Sequence, residues 1–149
     1  MKKVILLITF GLCISFAQIF ACDCGPAYNQ DALDEKVYGG ANYVFLTAEV
    51  LSVQSSFHLE VTIQVNQVFY GAKFIKDITK PLTVYFDLRT ECAIIQLDHI
   101  KTGNTLFITT VYNAMGRMFM TNNCDAFYPA DQLEGYQLND YLASLKTVE

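Results

Sequence analysis

The sequence predicts an all-β fold with flanking helices, in which five strands close into a small barrel. The clearest observation is the segment 58–66, where Leu59, Val61, Ile63 and Val65 alternate with polar residues. A period of two with one polar face is typical of a half-buried antiparallel strand. The second observation is a series of short runs rich in β-branched and aromatic residues, separated by turn signals. Closing such strands into a barrel would leave no exposed sheet edge.

The short runs predict four further strands, at residues 43–53, 82–88, 105–111 and 117–121. The alternating strand carries two more signals near its end. Its phase slips at Gln67-Val68, which indicates a β-bulge, and Tyr70-Gly71 ends it.

Helices are predicted on both sides of the strand region. The first begins near Asn29, a residue type that favours the N-cap, and Gly39-Gly40 ends it. The last helix is predicted from an apolar stripe at positions i, i+3, i+4 and i+7, formed by Leu138, Tyr141, Leu142 and Leu145.

The first residues have the architecture of an export signal. Lys2 and Lys3 precede an apolar run, and Ala21 offers a small residue at which cleavage could occur. We therefore expect residues 1–21 to be a signal peptide and residues 22–149 to form one secreted, extracellular domain. No later apolar stretch is long enough for a transmembrane span.

Charge and motifs exclude several classes of function. The chain carries a net charge of −5, whereas nucleic-acid binding requires basic patches that displace counterions. No phosphate-binding loop and no nucleophile–base pattern is present, so neither enzymatic activity nor a cofactor is expected. His58 and His99 have no acid or nucleophile at a telling spacing, and Asp87, Glu91 and Asp98 are expected to be surface charges.

Four cysteines, Cys22, Cys24, Cys92 and Cys124, follow the predicted signal peptide. An even number in an exported chain favours disulfides, and four cysteines allow three pairings. A bridge between Cys22 and Cys24 would be strained. Two alternatives remain open. Cys22 and Cys24 could form half of a zinc site that Cys92, Cys124 or His99 completes. A lipid could instead be attached to Cys22, since Ile19-Phe20-Ala21-Cys22 resembles a bacterial lipoprotein box. Lipidation would anchor the domain at a bacterial cell envelope.

The order of these features resembles the netrin-like family, and within it the N-terminal domain of the tissue inhibitors of metalloproteinases. The resemblance rests on Cys22-Asp23-Cys24 at the expected mature terminus and on Val68-Phe69-Tyr70-Gly71. It also rests on Thr90-Glu91-Cys92, on Gly103-Asn104-Thr105-Leu106-Phe107-Ile108 and on Cys124-Asp125-Ala126-Phe127 before the closing helix. It covers nearly all of residues 22–145 and implies a five-stranded, OB-like closed β-barrel.

The resemblance also implies a pairing and a site. The pairing is Cys22–Cys92 and Cys24–Cys124. The site is an inhibitory ridge formed by Cys22, Asp23, Cys24, Gly25, Pro26, Thr90, Glu91 and Cys92. In such an inhibitor the α-amino nitrogen and carbonyl oxygen of Cys22 chelate the zinc of a metalloprotease, and the Asp23 side chain points at the neighbouring specificity pocket. A catalytic zinc keeps one position for water beyond its three protein ligands, and this water is what the chelator displaces.

Three functions are carried forward. The first is a secreted protein-binding module that inhibits a zinc metalloprotease through Cys22. The second is a netrin-like module, extracellular or lipid-anchored, that binds another extracellular protein without inhibiting a protease; it would meet a membrane only if Cys22 is lipidated. The third is an OB-type barrel that binds an oligosaccharide or peptide on its sheet face.

The pairing yields a prediction for peptide mapping. Non-reducing digestion should recover Cys22–Cys92 and Cys24–Cys124 and no free thiol among these four cysteines. Replacing Cys24 and Cys124 together by Ala should lower the free energy of unfolding by about 2–5 kcal/mol, because the bridge closes a long loop. Recovery of a Cys22–Cys124 peptide, or of zinc bound by four thiols, would contradict the pairing.

Overall fold

Strands dominate the computed structural model, which describes residues 30–55, 58–86, 99–115, 118–121, 127–133 and 138–145. The elements run in the order α1 (Gln30–Tyr38), β1 (Tyr43–Ser55), β2 (Leu59–Tyr70), β3 (Leu82–Phe86), β4 (Thr105–Asn113), β5 (Met118–Thr121), β6 (Phe127–Pro129) and α2 (Leu138–Leu145). Two short 3-10 helices, Ala72–Phe74 and Ala130–Leu133, lie between them.

Five of the strands close into a barrel. The order is β1-β2-β3-β5-β4, and β4 pairs back onto β1. All pairs are antiparallel except β3–β5, which is parallel, with Val84 opposite Phe119. Strand β6 pairs with the first part of β4, where Phe107 lies opposite Tyr128. The predicted all-β fold with flanking helices is therefore confirmed, as is the closed five-stranded barrel.

The interior of the barrel is filled by alternate side chains from all five strands. The buried set comprises Val44, Leu46, Ala48, Val50, Leu59, Val61, Ile63, Val65, Val84, Phe86, Leu106, Ile108 and Phe119, with Ile100 from the segment before β4. It includes the apolar face predicted from the alternation in segment 58–66. Thr110, buried on β4, donates a hydrogen bond of 2.8 Å to the carbonyl of Met120, so its hydroxyl is not left unsatisfied.

A second apolar cluster lies outside the barrel, under the two helices. Phe45 of β1 and Phe107 of β4 lie at outward positions and are completely buried. They pack with residues from the helices and the 3-10 helix before α2, namely Leu33, Leu133, Leu138, Leu142 and Leu145. This second cluster explains the consecutive apolar residues of β1 and β4, because both faces of these strands are covered.

A hydrogen bond joins the two helices that cover this cluster. The Tyr141 hydroxyl of α2 donates to Oδ1 of Asp34 on α1, at 2.6 Å. Burial of Tyr141 and the adjacent Asp34 carboxylate raise the pKa of this tyrosine above its ordinary value, so it keeps its proton well above pH 10. The contact connects residues far apart in the sequence and fixes how α2 lies beside α1.

Most predicted boundaries agree with the structure. Helix α1 ends at Tyr38, before Gly39-Gly40, and the β1–β2 register shifts on both sides of Gln67-Val68, where the bulge is predicted. Strand β6 was not predicted. Asn29, Leu88 and Arg117, at the predicted ends of three elements, lie outside the described residues.

Gly71 sits where the end of β2 passes β1, and it generates a stability prediction. Its φ of 78° is left-handed, and an added Cβ would collide with the Tyr43 carbonyl oxygen and lie 2.9 Å from Val44 Cγ2. Gly71→Ala should therefore lower the free energy of unfolding by about 2–5 kcal/mol, from backbone strain and overpacking together.

Gly103→Ala is the matched control, to be measured alongside by urea denaturation. Gly103 has a φ of 88°, but an added Cβ would meet nothing within 4 Å, so only the backbone strain of about 1–2 kcal/mol applies. Equal losses for the two variants would contradict the close approach at Gly71.

Candidate functional site

The predicted inhibitory ridge lies outside the described residues. This applies to Cys22, Asp23, Cys24, Gly25 and Pro26 in segment 1–29, and to Thr90, Glu91 and Cys92 in segment 87–98. Cys124, which the predicted pairing joins to Cys24, also lies outside them. The ridge and its two bridges remain predictions, and the described residues define only the barrel to which these segments attach.

The attachment points of segment 87–98 are buried in the barrel. Phe86, the last residue of β3, is completely buried and lies opposite Leu59. Ile100, just after the segment, is 5% exposed and belongs to the same core. Two residues that flank the segment in the sequence, Phe86 and Ile100, are therefore fixed by packing, whereas His99, directly after it, is exposed.

The β1–β2 hairpin lies at this same end of the barrel. The pairing of β1 with β4 stops at Glu49, whereas its pairing with β2 continues to Ser55, so the hairpin extends past β4. On this extension Leu51 and Val53 are exposed, at 39% and 36%. Its outer face thus offers apolar side chains to a partner, although single exposed apolar residues are common on protein surfaces.

His58 directly precedes β2 at this end and contacts two neighbours. Its Nε2 lies 3.0 Å from Glu60 Oε1, and its ring centroid lies 5.4 Å from that of Tyr85. Glu60 and Tyr85 are directly paired across β2 and β3. Tyr85 thus packs against His58, and Glu60 is an acidic partner of His58 that the sequence analysis did not identify.

The opposite end of the barrel carries a cleft that the sequence analysis did not identify. We call it the lysine–aromatic cleft. It has a volume of about 350 Å³ and is lined by Phe74, Ile75, Lys76, Asp77, Lys80, Pro81, Leu82, Tyr112 and Phe119. These residues come from the β2–β3 connection, the start of β3, the end of β4 and the start of β5.

Three aromatic rings form one wall of the lysine–aromatic cleft. The rings of Phe74 and Tyr112 are stacked, with centroids 5.3 Å apart and planes 22° apart. Tyr112 also contacts Phe119 in a tilted arrangement at 5.2 Å. Phe119 is buried in the barrel core, whereas Phe74 and Tyr112 are only partly buried against it. The core thus continues outward into an accessible aromatic surface.

Lysines rim this aromatic surface. Lys73 Nζ lies 5.3 Å from the centroid of the Phe74 ring, within range of a cation–π contact. Lys80 Nζ lies 3.3 Å from Asp77 Oδ2. Among the described residues, neither Lys73 nor Lys76 has a carboxylate within ion-pair distance. The rim therefore presents positive charge on a chain whose net charge is −5.

Asp77, the one carboxylate of the cleft, is occupied by its own loop. It accepts hydrogen bonds from the Thr79 hydroxyl at 2.6 Å and from the Thr79 backbone N–H at 3.0 Å. These bonds, together with Lys80, hold the pKa of Asp77 below its usual value. Asp77 thus remains ionised, and its hydrogen bonds to Thr79 shape the loop.

A second cleft, of about 390 Å³, lies beside the start of β4. It is lined by Gly103, Asn104, Thr105, Leu106, Pro129 and Asp131. Asn104 is held in place by its side-chain amide, which donates to the His99 carbonyl at 2.9 Å. Its lining contains no aromatic side chain and only one charged side chain, Asp131. This cleft therefore offers fewer contacts for recognising a ligand than the lysine–aromatic cleft.

The described residues contain no cluster of three or more His, Cys, Asp or Glu side chains that could hold a metal ion. In the same part of the chain, no helix combines the length and apolar character needed to cross a bilayer.

The chain matches none of the protein-family models against which it was compared, and no curated protein matches it.

Proposed function

We propose that this protein is an extracellular protein-binding module of the netrin-like, OB type, which inhibits a zinc metalloprotease through the α-amino group and carbonyl oxygen of Cys22. A five-stranded closed barrel is compatible with an OB-fold, whose loops commonly carry binding residues. The ridge in this proposal comprises Cys22–Pro26 and Thr90–Cys92. The proposal rests on the sequence resemblance together with the burial of Phe86 and Ile100, which flank segment 87–98 in the sequence.

The single observation that carries the proposal is that Phe86 and Ile100 are both buried in the barrel core. Cys92 lies between these two residues in the sequence. A Cys22–Cys92 bridge would then tie the N-terminus to that end of the barrel. Rigid support lowers the ordering cost of binding, which is what a two-atom chelator requires.

The exposed face of the β1–β2 hairpin adds a second supporting feature. Leu51 and Val53 lie at the end of the barrel from which segment 87–98 departs. A protein that places its N-terminus on a zinc ion must also cover the rim of the active-site groove, and apolar side chains on a rigid hairpin suit that contact. The proposal therefore places the protease contact at this end.

A netrin-like module that inhibits no protease is the alternative. It keeps the barrel and the exposed hairpin but gives Cys22 no direct role. Lipidation of Cys22 would block the α-amino group and leave this alternative as the function. The two functions differ in one property. Only an inhibitor needs a neutral, unblocked α-amino group at Cys22.

An N-terminal extension tests the inhibitor function. Adding one Ala before Cys22 turns the α-amino nitrogen into an amide, which has no lone pair to donate to zinc. We expect inhibition of a susceptible metalloprotease to be abolished while the fold stays intact by circular dichroism. An equal extension after Glu149 is the matched control and should leave the inhibition constant unchanged. Inhibition that survives the N-terminal extension would eliminate chelation.

The pH dependence of the same inhibition follows from the chelating group. An α-amino group has an ordinary pKa of about 7.7–8.0, and only its neutral form binds zinc. Binding must therefore release a proton, and inhibition should weaken below about pH 7.5, approaching tenfold per pH unit. The titration of the protease itself is subtracted with an inhibitor that lacks an ionisable zinc ligand. A flat corrected profile from pH 6 to 9 favours the non-inhibitory module.

A further inference from the structure

We propose that the lysine–aromatic cleft binds an acidic peptide segment that carries one aromatic or large aliphatic side chain. The cleft lies at the end of the barrel opposite the β1–β2 hairpin and includes none of the residues proposed for the ridge, so this binding does not depend on the proposed inhibitor function. In this arrangement the apolar side chain of the peptide rests against Phe74 and Tyr112, and its carboxylates face Lys73, Lys76 and Lys80.

The aromatic wall has a structural role that does not account for all of its surface. Phe119 closes the end of the barrel core and is 5% exposed. Phe74 and Tyr112 pack against the core at Phe119 yet remain partly exposed, and their stacked rings border the cleft. The core would be sealed equally well if these two rings were fully covered. Their exposed surface is therefore available to an apolar group of a ligand.

The positive charges at the rim favour a ligand of negative charge. Lys73, Lys76 and Lys80 fall within the short segment 73–80, which contains one acidic residue, Asp77. Asp77 is engaged with Thr79 and Lys80. A net positive rim on an acidic protein attracts carboxylates locally while the rest of the surface repels them, which gives charge complementarity to an acidic segment.

Other anionic ligands fit the cleft less well. A nucleic acid would meet a protein whose net charge is −5. A sugar needs several hydrogen-bonding partners, whereas the lining of the cleft contains no amide side chain and only one carboxylate. A membrane surface suits a protruding apolar tip, whereas this aromatic surface lines a cleft; the exposed apolar side chains at this end include Ile78, at 50%, and Met115, at 98%, and they come from two separate connections. A peptide supplies both an apolar side chain and carboxylates.

The test is an NMR titration of the exported, oxidised protein. The probe is a capped pentapeptide of four glutamates around a central phenylalanine. We expect saturable chemical-shift changes at the amides of Phe74, Tyr112 and Phe119, with a dissociation constant on the order of 1 mM or below. Replacing the glutamates by glutamines, or the phenylalanine by serine, should each weaken binding about fivefold or more. Salt at 0.5 M should weaken it as well, because the lysines are exposed.

A matched pair of variants tests the role of the rim. Lys76→Glu should raise the dissociation constant about five- to tenfold, because an attraction becomes a repulsion at an exposed site. Lys101→Glu makes the same charge change in the turn before β4, away from the cleft, and should change it less than twofold. Both lysines are exposed in loops, so both variants are expected to fold.

Three results would overturn the proposal. One is the absence of saturable shifts at the cleft with millimolar peptide. Another is an equal effect of Lys76→Glu and Lys101→Glu. The third is stronger binding to anionic phospholipid vesicles or to a sulfated disaccharide than to the peptide. The same titration on the protein extended by Ala before Cys22 should be unchanged, so failure at the cleft is distinguishable from failure of the ridge.

Discussion

The structure depends on one strand, β1, that pairs along both of its edges at once. Its residues 45–49 lie between β2 and β4, so that Thr47 is opposite Gln67 on one side and Phe107 on the other. This double pairing is what closes the barrel. A strand that bends around a barrel needs local irregularities in its pairing, and β-bulges provide them by bending the strand. The β1–β2 register accordingly shifts at three places. Gly71 then permits the close approach of β2 to Tyr43 and Val44.

Closure gives the molecule two separate ends with different chemistry. At one end the β1–β2 hairpin extends past β4, and β3 ends at the buried Phe86. At the other end the β2–β3 connection folds over the core and brings Phe74 beside Tyr112. The two helices lie on neither of these ends, because α1 and α2 pack on the outer face of the barrel around Phe45 and Phe107.

Sequence reasoning succeeded where a local pattern carried the information. The alternation of Leu59, Val61 and Ile63 predicted both a strand and its buried face, and the stripe in segment 138–145 predicted α2. Strand β6 was missed because it has three residues and ends in Pro129. The lysine–aromatic cleft was missed for another reason. Its rings come from the β2–β3 connection, β4 and β5, which meet only in the folded barrel. The cluster of lysines in segment 73–80 was the one part of the cleft that the sequence displayed.

The central functional claim is that Cys22 is an unblocked, bridged N-terminus, and intact-mass analysis of the protein exported by its native host tests it most directly. The account predicts the mass of residues 22–149 less four hydrogen atoms, two for each bridge formed by the four cysteines. Reduction should add those four hydrogens back. A mass increased by an acyl group on Cys22, a chain that retains residues 1–21, or four free thiols would contradict the account.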